Sequence, residues 1–492
     1  MIKVKRKMSF SFSKNTVFFL SITLLLFFRI YLNTYTNIPL HFDEAQYWSW
    51  SQEIAWGYFS KPPLLAWIIG ANNYFCGDTE FCIRLPVPIL YFLATIFIFY
   101  SSILLTRNKI ISSVAALTFN LMPGITFSSF ITTTDVPLIL FASIFSYIFL
   151  IIYKKKNPSY LYFILLGIVF FLGCLSKYAM AYLLVSLCIS IVTFESLRKK
   201  FLNYGGVFFL LTFFILIIPH IFWNFKNGFV TFNHTVHNAD IESINLKLKE
   251  PFFFILSQFI VFGVYPLYAI LQNVSKYKQL NNEKKILLVF FLTPILIISF
   301  LSLFSRANAN WAAVGFPFGI IFLAVALNNK EMLFKKFRLI LSQILLSVLI
   351  IMIILLGKNN IFLDPFSKQR HAKNLASVIT EELKNIENVA FMADDREDFA
   401  LMLYYAKDFK GKRAKWNGDI DIDDHYELTT DVNNLSGHNL LFLTRTEPTA
   451  EMIKRSTSYK LLKELKFLNR KKVKQYNLYL LMNWKKKNSS TK

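Results

Sequence analysis

Residues 135–156 read DVPLILFASIFSYIFLIIYKKK. One carboxylate opens the stretch, eighteen residues follow without a charge, and three lysines close it. A helix rises about 1.5 Å per residue, so such a run is long enough to cross a hydrocarbon layer about 30 Å thick. It therefore reads as a membrane-spanning helix. Short loops rich in Lys and Arg stay on the cytoplasmic side, so Lys154, Lys155 and Lys156 mark the inner end and Asp135 the outer one.

The same pattern recurs along the chain. About eleven runs qualify: 15–33, 83–106, 110–128, 135–153, 159–175, 178–194, 205–222, 251–272, 285–304, 311–327 and 338–356. With a cytoplasmic N-terminus, the segments that fall inside carry more than three times as many Lys and Arg as those that fall outside. An odd number of spans puts the C-terminal tail outside. Lys3, Lys5, Arg6 and Lys7 before the first run imitate a signal peptide, but the run is long and no small-x-small site follows; an uncleaved first helix is expected.

Composition agrees. Of 492 residues, 54% are hydrophobic and 17% charged, against roughly a quarter charged in soluble proteins. A soluble enzyme, a disordered tail protein and a secreted disulfide scaffold are excluded. The formal net charge of +24 reflects cations collected between spans, so it indicates topology and not a nucleic-acid partner. Cys174 and Cys188 fall inside apolar runs and read as small core residues. Cys76 and Cys82 share one outer loop, where a disulfide or two free thiols are both open.

Near Gly357 the character changes. From there to Lys492 the chain holds 25 Lys and Arg and 18 Asp and Glu. Val389–Met392 and Asn439–Leu443 read as strands, Lys373–Lys384 and Asp398–Tyr405 as helices. The expected organisation is a membrane domain over 1–357 and a soluble outer α/β domain over 358–492.

Only 12 acidic residues precede position 357, and nine of them lie at or beyond the outer surface. The chemistry is therefore expected outside, where ATP and nucleotide sugars are not normally available. His41-Phe42-Asp43-Glu44 begins the first outer loop and Gly57-Tyr58-Phe59-Ser60-Lys61-Pro62-Pro63 closes it. Trp48, Trp50, Trp56 and Tyr58 read mostly as an interfacial aromatic belt. Asp43 and Glu44 stand out, since a carboxylate at an apolar boundary is costly unless paired or functional. Thr132-Thr133-Thr134-Asp135 sets another carboxylate at a helix entry, where capping by Thr134 or Asp135 would also explain it. Lys177 and Arg306 are further outer cations at span ends; anion binding and interface snorkelling are both open. His234, His237 and Asp240 recur every three residues, which on a helix is one face and a candidate divalent-metal site; a polar rim is the plainer reading. No other cofactor is indicated.

Taken together, Asp43-Glu44, Ser60-Lys61-Pro62-Pro63-Leu64, Thr133-Thr134-Asp135, Ser176-Lys177-Tyr178, Trp223-Asn224 with Gly228-Phe229-Val230-Thr231-Phe232, and Asn310-Trp311-Ala312-Ala313 resemble the bacterial polyprenyl-phosphate-sugar glycosyltransferases of the GT-C superfamily. The likeness is to the lipid A aminoarabinose transferases and protein O-mannosyltransferases, and it extends over roughly 15–410, with Asp394-Asp395-Arg396 and Leu403-Tyr404-Tyr405 matching their outer domain. It implies an all-α polytopic GT-C fold of about eleven transmembrane helices plus a small C-terminal α/β domain, in the plasma (inner) membrane. The donor would be a sugar on a polyprenyl phosphate, usually undecaprenyl phosphate. Asp43 and Asp135 match the family's two outer aspartates, the first of them catalytic, and Lys61 matches the lysine at the carrier phosphate. The lipid A branch has an acidic residue before Lys-Pro-Pro; here it is Ser60.

The resemblance implies an inverting transferase acting on lipid A or another lipopolysaccharide component, with Lys61 binding the donor; Asp43 and Asp135 are expected to be catalytic, and Glu44, Lys177 and Arg306, from their own placement, to bind substrate as well. Transfer to secreted proteins is one alternative. A lipid-linked sugar flippase is another, although it would be expected to show internal repeats and mid-membrane charges, which are not evident.

Overall fold

The computed structural model of the chain describes residues 14–238, 246–328, 333–419, 421–469 and 473–487. Helices occupy the chain up to Gly357, and a five-stranded sheet with flanking helices follows.

Seven helices among the described residues are long and apolar enough to cross a membrane: Asn15–Thr36, Glu80–Thr106, Asp135–Lys154, Tyr204–Lys226, Asn282–Leu301, Ala309–Ala326 and Lys335–Gly357. Tyr178–Thr193 with Glu195–Phe201 bends by 114°, and Lys249–Phe262 with Val264–Val274 by 116°; counting each pair as one crossing makes nine. The eleven apolar runs are thus not eleven straight crossings. Run 251–272 breaks at Gly263, whose φ of 104° is accessible to glycine at little cost. Run 110–128 divides into Lys109–Asn120 and Pro123–Ser128, because Pro123 lacks an N–H and forces Met122 out of helical geometry. Run 159–175 is the short helix Tyr160–Ser176.

Phenylalanines fill the centre of the bundle. Phe290 stacks on Phe318 at 4.5 Å and lies 4.8 Å from Phe149. On the outside, Leu24 and Phe27 of the first helix are exposed apolar side chains, as lipid-facing positions should be. The protein is a multi-pass membrane protein. Cys174 is buried, but Cys188 is exposed on its helix and is not a core residue.

The strands are β1 (Val389–Ala393), β2 (Arg413–Lys415), β3 (Asn439–Thr444), β4 (Ser458–Leu468) and β5 (Val473–Met482), in the order β2-β1-β3-β5-β4. β1 pairs parallel with β2 and β3, while β3–β5 and β4–β5 are antiparallel. β1, β3 and their neighbouring helices Ala372–Asn385 and Arg396–Tyr405 lie where the alternation placed them, within two residues.

One face of this layer shares a single apolar core with the segment that follows the first helix. Trp48, Trp50 and Tyr58 are buried together with Leu375, Ile379, Phe399, Tyr404 and Tyr426. They are therefore not an interfacial belt; of the four aromatics only Trp56 is exposed. Trp50 stacks on Tyr58 at 4.7 Å, and His425 meets both rings edge-on. Cys76 and Cys82 are joined as a disulfide at the end of the helix Leu64–Cys76.

Candidate active site

The helix Phe42–Ser51 starts with a capping box. His41 caps it, and the Glu44 carboxylate accepts from the His41 N–H at 2.8 Å. Glu44 goes further. Arg84 donates to it twice, Nε to Oε1 at 2.8 Å and Nη2 to Oε2 at 2.5 Å, and the Thr132 N–H adds a bond at 2.8 Å. The Arg84 guanidinium also donates to the carbonyls of Ile38 and Pro39. Burial opposes ionisation of Glu44, but Arg84 and the two backbone N–H groups outweigh it and hold the carboxyl below its usual range. Glu44 is completely buried. It was expected to bind substrate, and this placement corrects that: its oxygens are occupied in pinning the 38–44 segment to the 132–134 turn.

That latch ties the segment that bears Asp43 to the turn that leads into Asp135. Asp135 is the first residue of its helix, yet neither it nor Thr134 caps it; the Thr134 side chain makes no cap bond. Instead Lys177 Nζ donates to Asp135 Oδ1 at 2.8 Å and Asn310 Nδ2 to Oδ2 at 2.6 Å. Asp43 is more open. Arg396 is its nearest ion-pair partner at 3.5 Å, and the His41 ring lies 3.6 Å away, both beyond the 2.7–2.9 Å of a charge-assisted bond. Its side chain is 43% exposed, against 10% for Asp135.

Lys61 ends a tight turn in which the Tyr58 N–H donates to the Lys61 carbonyl. Burial lowers the pKa of its amine, with the charges of Lys177 and Arg396 adding to the effect and those of Asp43 and Asp135 opposing it. Asp43, Asp135, Lys61 and Lys177 therefore share one electrostatic environment. Beside them an apolar cavity of about 310 Å³ is lined by Tyr91, Ile125, Phe127, Ile139 and Phe316, with Asp135 and Asn310 on its wall.

Arg396 was not singled out as a site residue from the sequence. It comes from the C-terminal layer, donates to Gln46 of the Asp43 helix and lies over the Phe42 ring at 5.2 Å. Its separation from Asp43 in the chain hides the contact. Arg306 is exposed on the connection leading to Asn310. His234 lies on the helix Val230–Asn238, its ring 5.3 Å from Phe59. The His237 side chain and all of Asp240 fall outside the described residues, and among the described residues no three His, Cys, Asp or Glu side chains are grouped to hold a metal ion.

The family model of dolichyl-phosphate-mannose-protein mannosyltransferases matches residues 60–223, the segment that holds Lys61, Asp135 and Lys177. The lipid A galacturonosyltransferase RgtD of Rhizobium johnstonii is 26% identical over 296 residues, 60% of this chain and 62% of that protein. The lipopolysaccharide core galacturonosyltransferase RgtB of the same organism is 27% identical over 189 residues, 38% of either chain. Both matches span less than two thirds of the relative's length. In structure, ArnT from Cupriavidus metallidurans bound to undecaprenyl phosphate superposes with a TM-score of 0.64 at 13% identity, covering 94% of this chain and 97% of that one. Its apo form gives 0.63 over the same coverage. The chain therefore has the fold of ArnT along nearly its whole length, and over residues 60–223 its sequence matches the dolichyl-phosphate-mannose-protein mannosyltransferase model.

Proposed function

We propose that the protein is an inverting glycosyltransferase that moves a sugar from a polyprenyl phosphate to lipid A or another lipopolysaccharide component, at the outer face of the plasma membrane. The observation that carries this reading is Asp135, paired with Lys177, on the wall of an apolar cavity, with Lys61 close enough to feel Lys177 and both aspartates. A prenyl phosphate is amphipathic in the same way, with an anionic head on an apolar tail. The names of RgtD and ArnT support the acceptor and carrier classes. The Cys76–Cys82 bridge supports an outer location for the loop, since disulfides persist in oxidising compartments.

The geometry divides the labour. Asp135 is bound by Lys177 and Asn310, so it fixes the Lys177 ammonium for the phosphodiester. Lys61 supplies the second point charge. Asp43, open and loosely paired, takes the acceptor side. The acceptor oxygen attacks the anomeric carbon, the bond from that carbon to the phosphate oxygen breaks, and the prenyl phosphate leaves with the electron pair. The hydroxyl proton passes to Asp43. One displacement inverts the anomeric centre. An acceptor that is already an anion would leave Asp43 only to orient it.

Lys61→Ala is expected to raise the KM for the lipid-linked donor at least tenfold, because a hydrogen bond to a charged group is worth about 1.5–3 kcal/mol. Steady-state kinetics with purified protein check this; an unchanged donor KM would remove Lys61 from the phosphate site. The family match over 60–223 favours a second reading, transfer to protein hydroxyls. Mass spectrometry of envelope lipids and of secreted proteins, with and without the gene, separates the two. Unaltered lipid A and core would eliminate the first.

A further inference from the structure

Among the contacts that hold the segment ending in Lys61, four matter here, and three of them come from one corner of the fold. His220 Nδ1 lies 2.5 Å from the Trp56 carbonyl. The Trp223 ring covers Gly57 so closely that a Cβ there would sit 2.3 Å from it, which is why only glycine fits. Thr231 Oγ1 donates to the Tyr58 carbonyl at 2.7 Å. The fourth contact is the turn bond from Tyr58 to Lys61. His220 and Trp223 belong to the helix Tyr204–Lys226, and Thr231 to the helix that follows.

His220 does a second thing. Its Nε2 is 2.7 Å from the Tyr178 hydroxyl, and Tyr178 directly follows Lys177. A carbonyl oxygen can only accept, so Nδ1 carries the hydrogen. A neutral ring then presents Nε2 as an acceptor, and Tyr178 donates to it. Tyr178 is also stacked on Phe232 at 5.0 Å, with the rings 2° from parallel. His220 is buried, with 1% of its surface exposed. A polar side chain inside an apolar span is costly unless it has a task.

We propose that His220 is a positioning residue for the phosphate site: in its Nδ1–H tautomer it clamps the Lys61 segment to the Lys177 segment and so sets the separation of the two ammonium groups. The inference rests on the reading of Lys61 and Lys177 as the donor-phosphate cations. It implies that the imidazole touches no substrate, and that its loss is felt in donor binding and not at the acceptor. Tyr178 is the second half of the clamp.

The test is direct binding of undecaprenyl phosphate to the full-length purified protein in detergent, by isothermal titration, for wild type, His220→Ala, His220→Asn and Tyr178→Phe. His220→Ala should weaken binding at least tenfold. Asn can still donate to the Trp56 carbonyl, so His220→Asn should recover part of the loss, and Tyr178→Phe should fall between it and wild type. In transfer assays the donor KM should rise with the acceptor KM unchanged. Folded His220→Ala, with wild-type elution and melting temperature, that binds undecaprenyl phosphate as wild type does would overturn the clamp. A His220→Ala that fails to fold leaves the decision to Tyr178→Phe, where unchanged binding overturns it equally. Wild type that binds no undecaprenyl phosphate would instead sink the underlying reading of the site.

Discussion

Asp43→Asn should insert, fold and bind donor, yet transfer sugar at least a hundredfold more slowly. General-base catalysis contributes about 10²–10⁴-fold, and the substitution removes the basic oxygen while keeping the shape. The side chain is 43% exposed and makes no contact shorter than 3.5 Å with a charged partner, so little stability depends on its charge. The check is kcat alongside the melting temperature and the undecaprenyl phosphate affinity. Near-normal turnover would show that the acceptor needs no base from Asp43. A large fall in donor affinity would instead move Asp43 to the phosphate side of the site.

The neighbouring residue should behave in the opposite way. Glu44→Ala leaves Arg84 buried with its carboxylate gone. Removing one partner of a buried ion pair typically costs about 3–5 kcal/mol, a large share of the roughly 5–15 kcal/mol that holds a domain folded. The expected result is poor expression, a lower melting temperature, and loss of activity in proportion to the loss of folded protein. Arg84→Met combined with Glu44→Leu should recover only part of the stability: the apolar pair avoids the stranded charge, but the N–H groups of His41 and Thr132 and the carbonyls of Ile38 and Pro39 lose their partners. If Glu44→Ala melts like wild type but has lost substrate affinity, the latch is not structural and Glu44 returns to the binding site.

These two adjacent carboxylates show where reading the chain reaches its limit. Both sit at the same apolar boundary, and nothing local tells them apart. What separates them is Arg84, a cation at the very start of run 83–106. A charge in such a position asks for a partner, so a signal was present, though it named no residue. His220, inside run 205–222 and just after Pro219, carried the same kind of signal. Arg396 stood out only as part of the Asp394-Asp395-Arg396 match, which did not name Asp43 as its partner, because the contact joins residues far apart in the chain.

The fold was legible to the same degree. Apolar runs with few charges located the membrane helices, since leaving lipid-facing positions uncharged is a composition rule. The bends at Gly263 and Pro123 were not visible as breaks, because a glycine or proline within an apolar run leaves the hydropathy unbroken. In the C-terminal layer, β1 and β3 were found from their short apolar runs. β4 and β5 were not. Ser458–Leu468 reads SYKLLKELKFL, rich in residues that favour helix; pairing with β5 along its length overrides that preference. Its lysines suit an edge strand, where they discourage further pairing.

Burial of Trp48, Trp50 and Tyr58 among residues from beyond position 370 bears on how such a protein can be divided. A cut at the change of composition near Gly357 would strip the cover from three large aromatic rings on the very loop that bears Asp43. The C-terminal third is therefore no removable appendage. Grafting it from a relative would also require exchanging the 40–66 segment, so that both sides of the seam match.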